Sequence, residues 1–224
     1  MKIKLIGCES TRKEVELLPK KEKIESIFLD FTYHADPKKL KNKVQKIINE
    51  SQDYDYIILT YGRCSNALVG IVSPLTPLIF PGTHDCIGTL LGSNVRHKKI
   101  LEDNKGAYYF SIGWLEYGKS PLQEYMEYKE RYGKKKAGYI IKSLYGAYDT
   151  GILITTNAMT EVNLYRNKLN EIADFFHWKV KEVKGEGSIL CDLVNRKIGK
   201  DILYVKPGEP ITESLWEQGD GHED

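Results

Sequence analysis

The chain has no run approaching the roughly 18 consecutive apolar residues that a membrane-spanning helix needs. Charge of one sign is also missing: 33 basic side chains stand against 31 acidic ones, a formal net charge of +2. No global field therefore points to nucleic acid or to an anionic membrane, and neither is expected as a partner. Basic clusters such as 134-KKK-136 and 38-KKLKNK-43 are offset by acids elsewhere and read as solvated faces. A GxGxxG turn, a phosphate loop ending in Gly-Lys-Ser/Thr and a GxSxG elbow are all absent, which leaves nucleotide binding and serine-hydrolase chemistry without support. Solenoid-period repeats and low-complexity tracts are absent as well. Cysteine is scarce, with four in 224 residues. The start, 1-MKIKLIG-7, is too short for a signal peptide and has no small-residue cleavage site. The chain is expected to be cytoplasmic, where reduced cysteines serve catalysis or metal binding rather than disulfides.

What remains is an ordinary globular composition, 41% hydrophobic and 29% charged, in a chain long enough to bury a sizeable core. Short apolar runs alternate with helical patterns. The runs 3-IKLIG-7, 24-IESIFLDFTY-33, 54-YDYIILTYG-62 and 77-PLIFPG-82 read as strands. Between them, Asp36-Pro37 opens a helix carrying Leu40, Val44, Ile47 and Ile48 on one face, and 84-HDCIGTLLGS-93 is helical in character. The segment 106-GAYYFSIGWLEYG-118 predicts a strand leading into an irregular loop. Two helices follow, in 120-SPLQEYMEYKERYG-133 and 135-KKAGYIIKSLYGAY-148.

The last third repeats the alternation. It has a strand at 152-ILITT-156, a helix over 160–178 built on Leu164, Leu169, Ile172, Phe175 and Phe176, and a strand at 179-KVKEVKG-185. A helix capped by Ser188 and a closing strand at 201-DILYVKPG-208 complete it. This pattern predicts an α/β fold with a mainly parallel, Rossmann-like sheet, helices on both faces and a second, smaller α/β unit at the C-terminus. The segments are an N-terminal unit over 1–115, a helical connector over 116–150, a C-terminal unit over 151–211 and a flexible, polar tail over 212–224.

The functional signal lies in where the cysteines fall. Cys8 directly follows the first strand, Cys64 follows the third within two residues, and His84 and Cys86 follow the fourth at once. His34 follows the second. In a parallel sheet all carboxyl ends lie on one edge, where ligands bind. Residues of metal-ligand type, remote in sequence, should thus converge on one rim. Thiolates with imidazole suit zinc, and three thiolates suit an iron–sulfur cluster with one open iron. Gly62 and Gly82 would let the backbone turn sharply beside them. Neither spacing is a ribbon-type CxxC, and burial of a thiol under a helix explains any one of these cysteines equally well. Cys191, among Ile189, Leu190 and Val194, reads as core.

Asp85 either orients a ligating imidazole or caps the next helix. Arg63 and Arg96 either bind an anionic group or are solvated, and Tyr61 and Trp114 either wall a pocket or belong to the core. His97 and His177 read as surface. Arg63, Asn66 and Trp114 are the candidate cofactor-binding residues. Cys8, Cys64, His84 and Cys86 are the candidate metal ligands, and no catalytic residue is assigned.

The same stretches carry a resemblance. The runs 5-LIGCE-9, 59-LTYGRCSNALVGI-71, 79-IFPGTHDCIGTLLGS-93, 107-AYYFSIGW-114 and 201-DILYVKPGEPI-211 are similar to the blocks of the family catalogued as domain of unknown function 1638. The resemblance implies a shared site at Cys8, Cys64, His84 and Cys86. It implies an association with corrinoid-dependent methyl transfer, with a methyltransferase or corrinoid protein as partner and the corrinoid reached only through it. The block 34-HADP-37 has one residue more than the family pattern, and Arg63 and Gly82 stand where the family commonly has other residues. The expectation is a zinc or iron–sulfur enzyme acting on a small molecule in methyl or one-carbon metabolism. Two alternatives stand beside it: a non-catalytic metal- or cofactor-binding accessory protein for methyltransferases, and a metal-free Cys/His thiol enzyme.

Overall fold

The computed structural model describes residues 1–217. In chain order its strands are β1 (Ile3–Cys8), β2 (Ile24–Leu29), β3 (Tyr56–Leu59), β4 (Leu78–Pro81), β5 (Ala107–Phe110), β6 (Thr150–Thr155), β7 (Lys179–Lys184) and β8 (Ile202–Val205). The helices are α1 (Arg12–Leu17), α2 (Pro37–Asn49), α3 (Cys86–Leu91), α4 (Asn94–Asp103), α5 (Ile112–Tyr117), α6 (Pro121–Tyr132), α7 (Lys134–Tyr145), α8 (Val162–Phe176), α9 (Ser188–Val194) and α10 (Ser214–Glu217).

The fold is mixed α/β with two sheets. The first runs β2-β1-β3-β4-β8, parallel except for β8, which pairs antiparallel with β4. The second is a parallel sheet, β5-β6-β7. Chain order 2-1-3-4 reverses direction between β1 and β3, the switch point at which an open α/β sheet leaves a crevice.

Side-chain alternation decides what covers each face. Ile6, Ile57, Leu59, Leu78 and Phe80 point to one face of the first sheet, where α2 buries Leu40, Val44, Ile47 and Ile48. Ile3, Leu5, Ile58 and Ile79 point to the other, against Val15 of α1, Leu90 and Leu91 of α3, and Ile189, Leu190 and Leu193 of α9. That helical layer also meets Ile154, Tyr109 and Val183 of the second sheet, so it is shared between the sheets. The far face of the second sheet, Phe110 and Leu153, is covered by Tyr165, Leu169, Ile172 and Ala173 of α8.

Several expectations give way here. The segments 1–115 and 151–211 each cross between sheets: β5 joins the second sheet and β8 returns to the first. The stretch after β5 is helix α5 rather than loop, because Ser111 caps it by accepting from Trp114 N at 3.2 Å. Helix α4, polar and without a fully buried residue, has no apolar stripe to announce it. The cap of α9 is Gly187 at φ 65°, and Ser188 is its first residue. In α8, Leu164 and Phe175 are 46% and 40% exposed, and Tyr165 and Ala173 take their places in the core. The tail begins as structure: Trp216 of α10 is fully buried against Phe80, with its indole N–H donating to Pro81 O at 3.3 Å. Residues 218–224 of that tail lie outside the described residues.

Candidate functional site

The carboxyl ends of β1, β3 and β4 are laced together through backbone. Arg63 N donates to Thr83 O at 2.9 Å and Cys64 N to His84 O at 3.0 Å, so the loops after β3 and β4 run side by side. Gly62 permits this: a Cβ there would lie 2.5 Å from Thr83 O. Thr60 joins the third loop, accepting from Cys8 N at 3.2 Å and meeting Thr11 Oγ1 at 2.8 Å. Asn94 of α4 braces the loop after β4 from behind, accepting from His84 N at 3.1 Å and donating to Gly82 O at 3.1 Å. Cys64 and Asn66 flank this turn at φ 44° and 63°, the left-handed region that non-glycine residues enter only when their surroundings hold them there.

These loops bring Cys8, Cys64 and Cys86 to the wall of one chamber, with Ser10, Asp30, Tyr33, His34, Thr60 and Tyr61. The chamber continues, through Ser10, His34, Cys64 and Cys86, into a cleft of about 460 Å³ between the carboxyl edges of the two sheets. His84, Asp85, Tyr108, Tyr109, Phe110, Trp114 and Ile154 line that cleft. A shallower groove opens beyond His34, Tyr108 and Trp114, toward α6.

All four cysteines are free thiols. Burial pushes the Cys64 thiol up to about 12, with Cys8 and Asp85 as like-signed neighbours adding to it. Burial likewise raises Cys86 well above its ordinary value, with Asp85, Cys64 and Cys8 contributing, and it raises Cys8 in spite of the bond from Ser10 N to its Sγ at 3.4 Å. Cys8 opposes ionisation of Cys64, and both oppose ionisation of Cys86, while for Cys8 itself the like-signed neighbours are Glu9 and Asp30. Among the described residues, no Lys or Arg lines the chamber or the cleft. The guanidinium of Arg63 donates to Asn66 Oδ1 at 2.6 Å and to Glu213, and neither Arg63 nor Asn66 is among the lining residues of the chamber or cleft. The donor types suit a soft metal. Among the described residues, no group of three or more His, Cys, Asp or Glu side chains is arranged to hold an ion.

Asp85 caps α3, accepting from Gly88 N at 2.9 Å. The same oxygen stands 3.6 Å from His97 Nδ1, and that imidazole packs edge-on to Tyr109 with its side chain 14% exposed. His97 is thus a half-buried neighbour of the cleft rather than a surface residue. The clue was its spacing: α4 starts at Asn94 and puts residue 97 one turn in, facing back toward the Asp85 cap. His34 stacks on Phe31 and meets Trp114 edge-on, both at 5.6 Å, and burial lowers its pKa although Asp85 pulls the other way. Trp114 walls the cleft. Tyr61 is buried, donating to Gly7 O at 2.9 Å. His177 is an exposed left-handed helix cap, Arg96 is held by Leu91 O and Glu186, and Cys191 is half-buried and accepts from Asn195. Three polar atoms of residues around the cleft, Ser10 Oγ, Tyr109 OH and Trp114 Nε1, are buried without a hydrogen-bond partner. Buried polar groups are seldom left so.

Among the described residues no helix is long and apolar enough to cross a membrane. No curated protein and no solved structure matches the chain. The profile of one family, described as "Protein of unknown function (DUF1638)", matches residues 28–194, a span that holds Cys64, His84, Cys86 and Trp114 and does not reach Cys8. With that match covering most of its length, the chain belongs to the DUF1638 family.

Proposed function

We propose that the chain is a thiolate metalloenzyme acting on a small molecule in the cleft between its sheets. The observation that carries this reading is the convergence of Cys8, Cys64 and Cys86, from the ends of three parallel strands, on one chamber that opens into the cleft. Three half-buried thiols in one chamber, each with its ionisation disfavoured, gain most from a bound cation, because a coordinating thiol is deprotonated outright. Cys64 and Cys86 border both chamber and cleft, which favours an open coordination position facing substrate over a closed structural site. Cys8, Cys64 and Cys86 would supply the thiolates after turning toward a common centre, and His84 would approach from the cleft side. A metal held there would supply Lewis acidity or activate a bound thiol or water. The protein's part is to hold the loops rigid through the lacing at residues 62–64 and 82–86, and to exclude bulk water with Trp114 and Tyr109.

The metal-free thiol reading is the weaker of the alternatives. A nucleophilic cysteine needs a lowered pKa and a neighbouring cation, whereas burial raises all three of these thiols. Methyl or one-carbon metabolism, with a corrinoid protein or methyltransferase as partner, is proposed on the family resemblance alone. Metal and acid-labile sulfide analysis of protein purified without oxygen tests the central reading. Stoichiometric metal that disappears in Cys86→Ser and persists in Cys191→Ser supports it. Wild-type protein that takes up neither zinc nor iron, natively or on anaerobic reconstitution, sinks it.

A further inference from the structure

Resting on the reading that the cleft takes a small molecule, we infer that its ligand is an organic cation, with the positive group seated among the aromatic rings at the mouth and beside Glu124. The argument starts from charge. Among the residues lining the chamber, the cleft and the outer groove, four carboxylates (Asp30, Asp85, Glu124 and Glu127) stand against one ammonium, that of Lys119. Lys119 is already paired with Glu127 at 2.7 Å. The inner cleft is lined by neither Lys nor Arg. A phosphate or carboxylate entering it would lose its hydration with no cation to replace it, a cost of several kcal/mol for an unpaired ion.

The mouth favours the opposite sign. His34, Tyr108 and Trp114 border both the cleft and the groove, and Phe31, Tyr117 and Tyr145 extend the aromatic wall outward. Phe31 and Trp114 meet at 90°, with centroids 4.6 Å apart, and Tyr108 meets Trp114 at 78°. Rings set perpendicular to one another present faces in more than one direction, and the negative face of each ring attracts a cation. Glu124, which accepts from Tyr145 OH at 2.7 Å, is fixed in orientation by that bond; among the described residues it makes no ion pair within 4 Å, Lys119 feeling its charge only from farther off. Beyond the mouth the floor is Ile87, Leu90 and Ile154, suited to the apolar body of the molecule.

The test uses three molecules of one shape and different charge: choline, its uncharged carbon isostere 3,3-dimethylbutanol, and the anion 3,3-dimethylbutanoate. Binding is followed by calorimetry and by tryptophan fluorescence. The expected order is cation over alcohol by at least about fivefold, the scale of a cation–π contact, with no measurable binding of the anion. Glu124→Gln should weaken choline and leave the alcohol unchanged. Trp114→Phe, which keeps a ring, should bind choline better than Trp114→Leu, with circular dichroism establishing that each variant is folded. Binding of the anion as tight as that of the cation, or choline affinity unchanged in both Glu124→Gln and Trp114→Leu, overturns the inference and leaves the cleft a small-molecule site. No binding of any probe would overturn the small-molecule reading of the cleft and the inference with it. Repeating the titration on wild-type protein stripped of metal by chelation keeps the result separate from the metal question, because the cation should still bind there.

Discussion

Glu14 should make this protein less stable as pH rises from about 4.5 toward neutrality. Its carboxyl lies where α1 meets the second sheet, 6% exposed, with Oε1 accepting from Thr156 Oγ1 at 3.0 Å and Oε2 lacking any partner. Burial pushes its pKa up to about 7 from an ordinary 4.5, with the nearby Glu116 adding to the rise. Below the unfolded value both states hold the proton and the group costs nothing. Between 4.5 and about 7 the unfolded chain ionises while the folded one does not, so stability falls as pH rises. Above that window both states are ionised and the whole penalty is present, about 3 kcal/mol at 1.36 kcal/mol per unit. Glu14→Gln keeps the acceptor for Thr156 and removes the charge. Urea unfolding should therefore show the variant close to wild type at pH 4 and about 2 to 3 kcal/mol more stable at pH 8, allowing for an amide N–H left unpaired. An identical difference between the two proteins at both pH values would refute the buried-carboxyl argument.

Gly113→Ala should be among the most damaging single substitutions, because a Cβ there would lie 2.4 Å from Ser10 O and force α5 from the loop after β1. A loss on the order of 2 kcal/mol or more in thermal or urea unfolding is expected, and wild-type stability would contradict the close approach. Trp216→Ala should cost about 3 to 5 kcal/mol, since the indole is fully buried on Phe80; a change under about 1 kcal/mol would return α10 to the status of a loose tail. In folded, metal-free protein at pH 8, alkylation should spare Cys64 and Cys86, whose thiols are held neutral by burial, and should reach them on unfolding; rapid modification of either in the folded state would reverse the case against the thiol-enzyme reading.

The centre of the first sheet was legible because β1, β3 and β4 are buried on both faces and so read as near-continuous apolar runs, as in 57-IIL-59 and 78-LIF-80. Helix α2 was legible for the complementary reason, an Asp-Pro start and a stripe that buries Leu40, Val44, Ile47 and Ile48. What sequence did not convey is decided by tertiary partners. Nothing local tells β8 to return to β4 across some 120 residues, since its pairing is fixed by Pro81↔Ile202 and its neighbours. The stretch 94-NVRHKKILED-103 has no apolar stripe, because α4 braces a loop through Asn94 instead of burying one; its local mark is Ser93, which caps it by accepting from Arg96 N.

The site divides along the same line. Strand ends are readable, and in a parallel sheet they share an edge, so Cys8, Cys64 and Cys86 could be assigned to one rim before any distance was known. Charge state is not readable, because it depends on what the fold puts around each group. The sequence offers Arg63 one residue from Cys64, which would suggest a cation poised to ionise the thiol. In the fold, that guanidinium turns away to Asn66 and Glu213, and burial holds the thiol neutral, with Cys8 and then Asp85 adding like-signed influence. His97 shows the converse: remote from every cysteine in sequence, it is carried by α4 to the Asp85 cap and the Tyr109 ring. The chemistry of the cleft therefore follows from which carboxylates and rings the second sheet and its helices bring to the rim, and those partners make the thiols neutral, the walls anionic and a bound cation the species that would change both.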